Sequence, residues 1–137
     1  MNSTGLAEPV PTASSILVAE DNPDSRDALR ALLEAYGYQV VEARDGEEAV
    51  QRALAQRPDL ILMDIMMPVK DGLEATRLLR ASPDFRQVPI VALTAMAGAR
   101  ELAMAAGCDD YLAKPIDIPI FLRTIKTWLA GGRGVTN

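Results

Sequence analysis

The sequence predicts an α/β fold in which helices cover both faces of one five-stranded, doubly wound parallel sheet. Five short apolar runs alternate along the chain with segments of helical periodicity. The runs are continuously apolar, as is typical of strands buried on both faces. Right-handed crossovers between successive parallel strands then leave few other topologies.

The first β–α unit begins with the apolar run ILVAE at 16–20, which predicts a strand. Asn22 and Pro23 follow as a helix start, because proline is favoured at the first helical position. Gly37 can cap the end of this helix. Its apolar face repeats at i, i+3, i+4 and i+7 and consists of Leu29, Leu32, Leu33 and Tyr36.

The second and third units follow the same pattern. The run QVVEA at 39–43 predicts the second strand, and Asp45 opens the helix after it. The run LILM at 60–63 predicts the third strand, and Gly72 to Arg80 the third helix. The apolar face of the second helix consists of Ala49, Val50, Ala53 and Leu54.

The last two units complete the alternation. PIVAL at 89–93 predicts the fourth strand and Gly98 to Ala106 a short fourth helix, while Tyr111 and Leu112 indicate a brief fifth strand. The face of the final helix consists of Ile118, Phe121, Leu122, Ile125 and Leu129.

Length and composition predict one folded domain. The 137 residues suit a single core, and an apolar fraction of 49% favours folding over disorder. We expect a flexible leader at 1–14, a domain at 15–130 and a flexible tail at 131–137.

Charge and residue usage exclude several classes of function. The net charge of −5 and the lack of a basic run argue against nucleic acid as a partner. No apolar run is long enough to insert into a membrane, and no signal-peptide pattern is present. The single cysteine, Cys108, fits a reducing cytoplasm. Because the chain has no histidine, Ser-His-Asp catalysis and the common zinc sites are excluded.

Polar residues stand at the ends of four predicted strands: Glu20, Asp21, Asp64, Thr94 and Lys114. In the strand order 2-1-3-4-5 the first and third strands are neighbours at the switch point, so the three acids converge there. Three close carboxylates repel one another unless a cation intervenes. Mg²⁺ prefers such oxygen ligands.

Each of these residues has a simpler explanation when it is taken alone. Glu20 and Asp21 could favour a helix N-terminus, and Asp64 could precede a turn. Thr94 and Lys114 could be an ordinary strand-end hydroxyl and a solvated loop residue. These explanations weaken jointly, because the residues fall in chain order on one edge of one sheet.

Four stretches identify a family resemblance: LVAEDN (17–22), LILMDIMMPVKDG (60–72), PIVALTA (89–95) and GCDDYLAKPI (107–116). Together they resemble the receiver domain of two-component response regulators. The resemblance covers about residues 15–130 and implies a flavodoxin-like (βα)5 fold with the strand order 2-1-3-4-5.

The resemblance implies roles for the acids. Asp64 matches the residue that accepts a phosphoryl group, and Asp21 matches the direct ligand of Mg²⁺, for which Mn²⁺ could substitute. Glu20 matches an acid that usually acts through a metal-bound water. Many receivers have Asp-Asp rather than Glu-Asp here, so Glu20 is a mild departure. The backbone carbonyl of Met66 would complete the protein ligands.

The resemblance also implies how the site responds. Thr94 would bind a phosphoryl oxygen, and Lys114 would pair with Asp64 before the reaction and with the phosphoryl group after it. Tyr111 matches an aromatic residue that swings inward as the threonine moves. The bond between Lys114 and Pro115 is a candidate cis peptide.

Two features could modify this behaviour. Met66 and Met96 occupy positions that flank the path of the hydrolytic water in the family, so they would tune phosphoryl lifetime. The segment from Thr94 to Gly107 is about two residues shorter than in typical members. This region usually forms part of the partner-binding surface in the family, so the choice of partner could differ.

The function implied is a cytoplasmic signalling switch rather than an enzyme, with self-phosphorylation and self-dephosphorylation as its only chemistry. A histidine kinase or histidine phosphotransfer protein would supply the phosphoryl group, and a downstream protein would bind the result. With only a short tail after the last helix, the chain resembles a stand-alone receiver. A receiver cut from a hybrid histidine kinase is the alternative.

Rival classes fit less well. A haloacid-dehalogenase-type phosphatase also has a nucleophilic aspartate at a strand end, but it needs an acid two residues later, where Met66 cannot transfer protons. Neither GxGxxG nor a P-loop follows a strand, which argues against a nucleotide-binding domain. A degenerate receiver used only as a scaffold would not need the full set of acid, threonine and lysine.

Overall fold

The computed structural model describes residues 13–132, and it confirms the predicted fold. Five parallel strands form one sheet in the order β2-β1-β3-β4-β5. The strands are β1 Ser15–Ala19, β2 Gln39–Ala43, β3 Leu60–Asp64, β4 Ile90–Thr94 and β5 Asp110–Ala113. The helices are α1 Pro23–Ala35, α2 Gly46–Gln56, α3 Gly72–Arg80, α4 Arg100–Ala106 and α5 Ile118–Gly131. The predicted leader and tail lie largely outside the described residues.

Several predicted boundaries were wrong by one or two residues; the third strand, for example, ends at Asp64 and not at Met63. The first strand spans 15–19 instead of 16–20, and the fourth spans 90–94 instead of 89–93. The fourth helix begins at Arg100 and not at Gly98, which has a φ of +76°. A positive φ is incompatible with a right-handed helix, so the chain turns at Gly98 before the helix can start. A short 3₁₀ turn at Pro83–Phe85 was not predicted.

Two apolar cores lie on opposite faces of the sheet because strand side chains alternate in direction. Leu17, Ala19, Ile61 and Met63 face α2, α3 and α4, where they pack against small residues such as Ala53. On the other face α1 and α5 cover the second core, formed by Ile16, Val18, Leu29, Leu33, Leu60, Leu62, Phe121 and Ile125. The sheet is therefore doubly wound, as predicted.

The register of the strands determines which residues meet at the carboxyl edge of the sheet. Ala19 of β1 pairs with Met63 of β3, so Glu20 and Asp64, which follow them, lie side by side. Thr94 of β4 pairs with Ala113 of β5, directly before Lys114. The polar strand ends thus come together at this edge.

Side-chain caps fix the starts of the helices around that edge. Asn22, Asp45, Asp71 and Asp117 each accept a hydrogen bond from a backbone N–H in the first turn of α1, α2, α3 and α5. Within residues 13–132 no helix combines the length and the apolar character that a membrane span requires.

Candidate functional site

Three carboxylates converge at the carboxyl edge of the sheet. One oxygen each from Glu20, Asp21 and Asp64 lies within 4.8 Å of the others. Glu20 and Asp64 are 1% and 4% exposed, whereas Asp21 is exposed to solvent. The cluster is therefore buried at its base and open on the side of Asp21, which agrees with the convergence expected from the strand order.

Asp64 is buried with both carboxylate oxygens engaged. Its Oδ1 accepts a hydrogen bond from the backbone N–H of Met66 at 3.0 Å, and its Oδ2 lies 2.8 Å from Nζ of Lys114. A buried charge is tolerated when it is paired and hydrogen-bonded. These contacts explain how a carboxylate can follow directly on the apolar run of β3.

Lys114 bridges two buried carboxylates. Its ammonium group also donates to Oε1 of Glu20, whose Oε2 accepts from the backbone N–H of Asn22 at 3.1 Å. Burial alone would lower the pKa of Lys114, but the hydrogen bonds and charges of Asp64 and Glu20 outweigh it and raise that pKa. The Lys114–Pro115 peptide bond is cis.

Thr94 and Tyr111 share a partner in Met96. Thr94 is fully buried, and its hydroxyl oxygen accepts from the backbone N–H of Met96 at 3.1 Å. The hydroxyl of Tyr111 donates to the carbonyl oxygen of the same residue at 3.4 Å. The N–H of Lys114 donates to the carbonyl of Thr94 at 2.9 Å, which joins this group to the acids. The sequence carries no signal for this bridging role of the Met96 backbone.

A shallow apolar groove borders the open side of the cluster. It has a volume of about 500 Å³, and Asp21, Met66 and Met96 are among the residues that line it. Met66 is largely exposed to solvent, with 57% of the residue accessible. Both methionines therefore lie in the groove that borders Asp21.

The loop from β3 to α3 holds a strained residue that sequence analysis missed. Val69 has a φ of +68°, a left-handed conformation that is rare for a β-branched residue. The N–H of Lys70 donates to the carbonyl of Pro68 at 2.7 Å, which closes a three-residue turn around Val69. The one sequence signal for a tight turn here is Pro68, followed after two residues by Asp71-Gly72, because proline, aspartate and glycine all favour turns.

The chemistry of the cluster suits a hard divalent cation. Three carboxylates against one ammonium group leave two negative charges uncompensated within the cluster. Mg²⁺ is bound through carboxylates and waters, and one open, exposed side leaves room for those waters. The donor set therefore fits Mg²⁺ without help from nitrogen or sulfur ligands.

Comparison with known proteins gives a consistent result. The family model described as "Response regulator receiver domain" matches residues 16–126. The polar-differentiation response regulator DivK of Brucella anthropi is 43% identical over 117 residues, which span 84% of this chain and 95% of that protein.

Solved structures agree with the sequence comparison. The receiver domain of the sensor histidine kinase PA1611 from Pseudomonas aeruginosa, with a magnesium ion coordinated in its active site cleft, is 44% identical with a TM-score of 0.81. It covers 86% of this chain and 98% of its own length. A receiver domain of a histidine kinase from Syntrophus aciditrophicus is 35% identical with a TM-score of 0.82, and it covers 91% of this chain and 96% of its own.

Proposed function

This chain belongs to the response-regulator receiver family, and we propose that phosphorylation of Asp64 operates it as a signalling switch. Receiver domains act in general by interacting with histidine kinases and with downstream targets. One observation carries the assignment to Asp64. It is buried at the end of β3, 2.8 Å from the Lys114 ammonium group and within 4.8 Å of two further acids.

Asp64 acts as the nucleophile in this proposal. A carboxylate oxygen attacks the phosphorus of the donor, a new P–O bond forms, and the bond from phosphorus to the leaving group breaks. The leaving group takes the electron pair of that bond. The backbone N–H of Met66, 3.0 Å from Oδ1, holds the carboxylate in place during the attack.

The acids around Asp64 would hold the cation. Asp21 and Asp64 would bind Mg²⁺ directly together with the backbone carbonyl of Met66, and Glu20 would act through a bound water. Mn²⁺ has the same preference for oxygen ligands and could replace Mg²⁺. When bound, the cation supplies positive charge that stabilises the phosphoryl oxygens as their charge develops.

Lys114 and Thr94 would bind the phosphoryl group after transfer. The ammonium group already contacts the acceptor carboxylate, so a short movement brings it to a phosphoryl oxygen. The Thr94 hydroxyl, whose oxygen accepts from the Met96 N–H, would turn to donate its own proton to a phosphoryl oxygen. Because Tyr111 also contacts Met96, its ring would move with the threonine.

The partners follow from this chemistry. A histidine kinase or a histidine phosphotransfer protein would supply the phosphoryl group in the cytoplasm, and a downstream protein would recognise the phosphorylated form. Nucleic acid is not an expected partner, since the net charge is −5. The comparisons do not favour a haloacid-dehalogenase-type phosphatase, and Met66 still occupies the position where that class needs an acid.

The proposal is tested with acetyl phosphate as a small phosphoryl donor. Incubation with acetyl phosphate and Mg²⁺, followed by intact-mass measurement, should show the gain of one phosphoryl group in the wild type. Asp64→Asn should abolish the gain, whereas the control Asp84→Asn, at an exposed acid far from the cluster, should retain it. Labelling of Asp64→Asn at the wild-type rate would overturn the assignment. Multiple turnover of assorted phosphomonoesters would instead favour a phosphatase.

A further inference from the structure

We infer that Glu20 is a positioning residue that holds Lys114 against Asp64 without a bound cation, and that cation binding must break the Glu20–Lys114 contact. The inference deepens the proposed function and rests on the three acids being its cation site. It assigns Glu20 a role toward the lysine in addition to any role toward a metal-bound water. Cation binding would then come before the release of Lys114 to a phosphoryl group.

The contacts of Lys114 carry the first step. Its ammonium group donates to one oxygen of Glu20 and one of Asp64, and these two acidic side chains are only 2% and 6% exposed. The Lys114 side chain is 24% exposed. An ammonium group that is hydrogen-bonded to two buried carboxylates is strongly favoured in that position over solvent.

Glu20 is itself held from its other side. Its Oε2 accepts from the N–H of Asn22 at 3.1 Å, and its carbonyl accepts from the guanidinium of Arg26 at 2.8 Å. Asn22 caps α1 through a hydrogen bond to the N–H of Ser25 at 3.0 Å. Through Glu20, Lys114 is therefore linked to the N-terminus of α1, and through Asp64 it is linked to β3.

The length of the glutamate makes this bridge feasible. An aspartate at position 20 would be shorter by one methylene, which is about 1.5 Å of reach. An aspartate there that kept the hydrogen bond from the N–H of Asn22 would hold its second oxygen farther from the ammonium group of Lys114 and weaken that contact. The Glu-Asp pair at 20–21 thus differs from an Asp-Asp pair in its effect on the lysine.

Cation binding and the Glu20–Lys114 contact compete for the same carboxylate. One Glu20 oxygen belongs to the cluster that would face the cation, and a divalent charge a few ångströms from the ammonium group repels it. Two events that exclude each other are linked reciprocally, so the contact weakens cation binding as much as the cation weakens the contact. A shorter acid that keeps the charge should remove this penalty.

The test measures Mg²⁺ affinity of the full chain by isothermal titration calorimetry without a phosphoryl donor. Glu20→Asp should bind Mg²⁺ about three- to tenfold more tightly than the wild type, which corresponds to about 0.7–1.4 kcal/mol. Glu74→Asp, the same shortening at an exposed acid of α3, should leave the affinity unchanged. Unchanged or weaker binding by Glu20→Asp would overturn the inference.

A second variant separates the lysine from the ligand properties of aspartate. Lys114→Gln should also tighten Mg²⁺ binding, and Glu20→Asp should add nothing in that background. A gain that persists with Lys114→Gln would show that aspartate is simply the better ligand and would overturn the inference. Nuclear magnetic resonance gives a readout that needs no substitution: the Lys114 ammonium resonance should be protected from exchange without Mg²⁺ and lose that protection on titration.

The two proposals fail separately. If Asp64 is labelled by acetyl phosphate but Glu20→Asp does not tighten Mg²⁺ binding, the inference falls and the proposed function stands. If Mg²⁺ binding behaves as expected but Asp64 is never labelled, the proposed function falls.

Discussion

Gly72 lies so close to Asp64 that a β-carbon at position 72 would stand 2.1 Å from the carbonyl oxygen of Asp64. The same carbon would lie 2.9 Å from the α-carbon of Ile65, whose carbonyl accepts from the N–H of Gly72 at 2.9 Å. Both contacts are with backbone atoms, which cannot turn aside as a side chain would. Glycine at the start of α3 is therefore a condition for the position of Asp64.

Gly72→Ala should destabilise the fold and slow phosphorylation together. Overpacking of this kind costs about 1–3 kcal/mol, and the backbone shift that relieves it moves Asp64. Thermal unfolding and the rate of labelling by acetyl phosphate measure the two effects. Gly131→Ala is the matched control, because nothing lies within 4 Å of its β-carbon and alanine favours a helix. If Gly72→Ala unfolds and reacts like the wild type, the close approach does not constrain the site.

Mg²⁺ binding should depend more on Asp21 than on the charge of Glu20. Asp21 is the exposed acid of the cluster and the expected direct ligand, whereas Glu20 is expected to act through water. Loss of an outer contact costs less because Mg²⁺ keeps much of its water shell. Calorimetric titration of Asp21→Asn and Glu20→Gln should show the larger loss of affinity, about tenfold or more, for Asp21→Asn. Equal or reversed losses would contradict the assignment of ligands.

The sequence predicted the sheet order and the meeting of the acids, because both depend on periodicity and on which strands are neighbours. Contacts set by side-chain reach were less accessible. The contact of Lys114 with Glu20 in addition to Asp64 depends on the orientation of the Glu20 carboxylate. The link from Thr94 to Tyr111 runs through the backbone of Met96. Neither leaves a pattern in the chain. The left-handed Val69 was missed because propensity argues against that conformation for a β-branched residue.

Thr94 and Tyr111 should respond together when the site is filled. Both contact Met96, one through its N–H and one through its carbonyl, so a rotation of the Thr94 hydroxyl loosens the partner of Tyr111. Amide chemical shifts compared with and without beryllofluoride, a phosphoryl mimic, should change at both residues and along α4, β5 and α5. Thr94→Ala should suppress the response at Tyr111. Shifts confined to the three acids would contradict the coupling.

Glu48 should make stability depend on acid pH. Hydrogen bonds from the N–H of Arg44, at 2.7 Å, and from its guanidinium outweigh burial and lower the pKa of Glu48 below its usual 4.5. A lowered folded pKa stabilises the fold above 4.5, and this contribution disappears as the pH falls through the folded value.

Glu48→Gln should accordingly lower the free energy of unfolding by about 1 kcal/mol at pH 7. The difference from the wild type should shrink as the solution is acidified. Denaturant unfolding at several pH values measures this difference. Glu101→Gln, at an exposed acid of α4, serves as the control and should show little change at pH 7. A difference for Glu48→Gln that stays constant down to acid pH would point to lost packing instead of lost charge.

The phosphorylated form should be longer-lived than in receivers with polar residues beside the site. Met66 and Met96 line the groove next to Asp21, on the side from which solvent reaches the acids. A polar or acidic side chain there could orient water for in-line attack on the phosphoryl group. Methionine offers a flexible apolar chain and only a weak sulfur acceptor.

The size of the effect and its test follow from this geometry. Loss of water positioning worth ~1.4 kcal/mol slows hydrolysis about tenfold, so Met66→Asn and Met96→Glu should each shorten the lifetime by up to that factor. Decay of the acyl phosphate is followed at saturating Mg²⁺, with Met104→Asn, an exposed methionine on α4, as the control. Met66→Asn is the sharper test, because the Met66 N–H contacts Asp64 and so fixes where a new side chain would begin. If Met66→Asn decays no faster than the wild type, apolar shielding at that position does not set the lifetime.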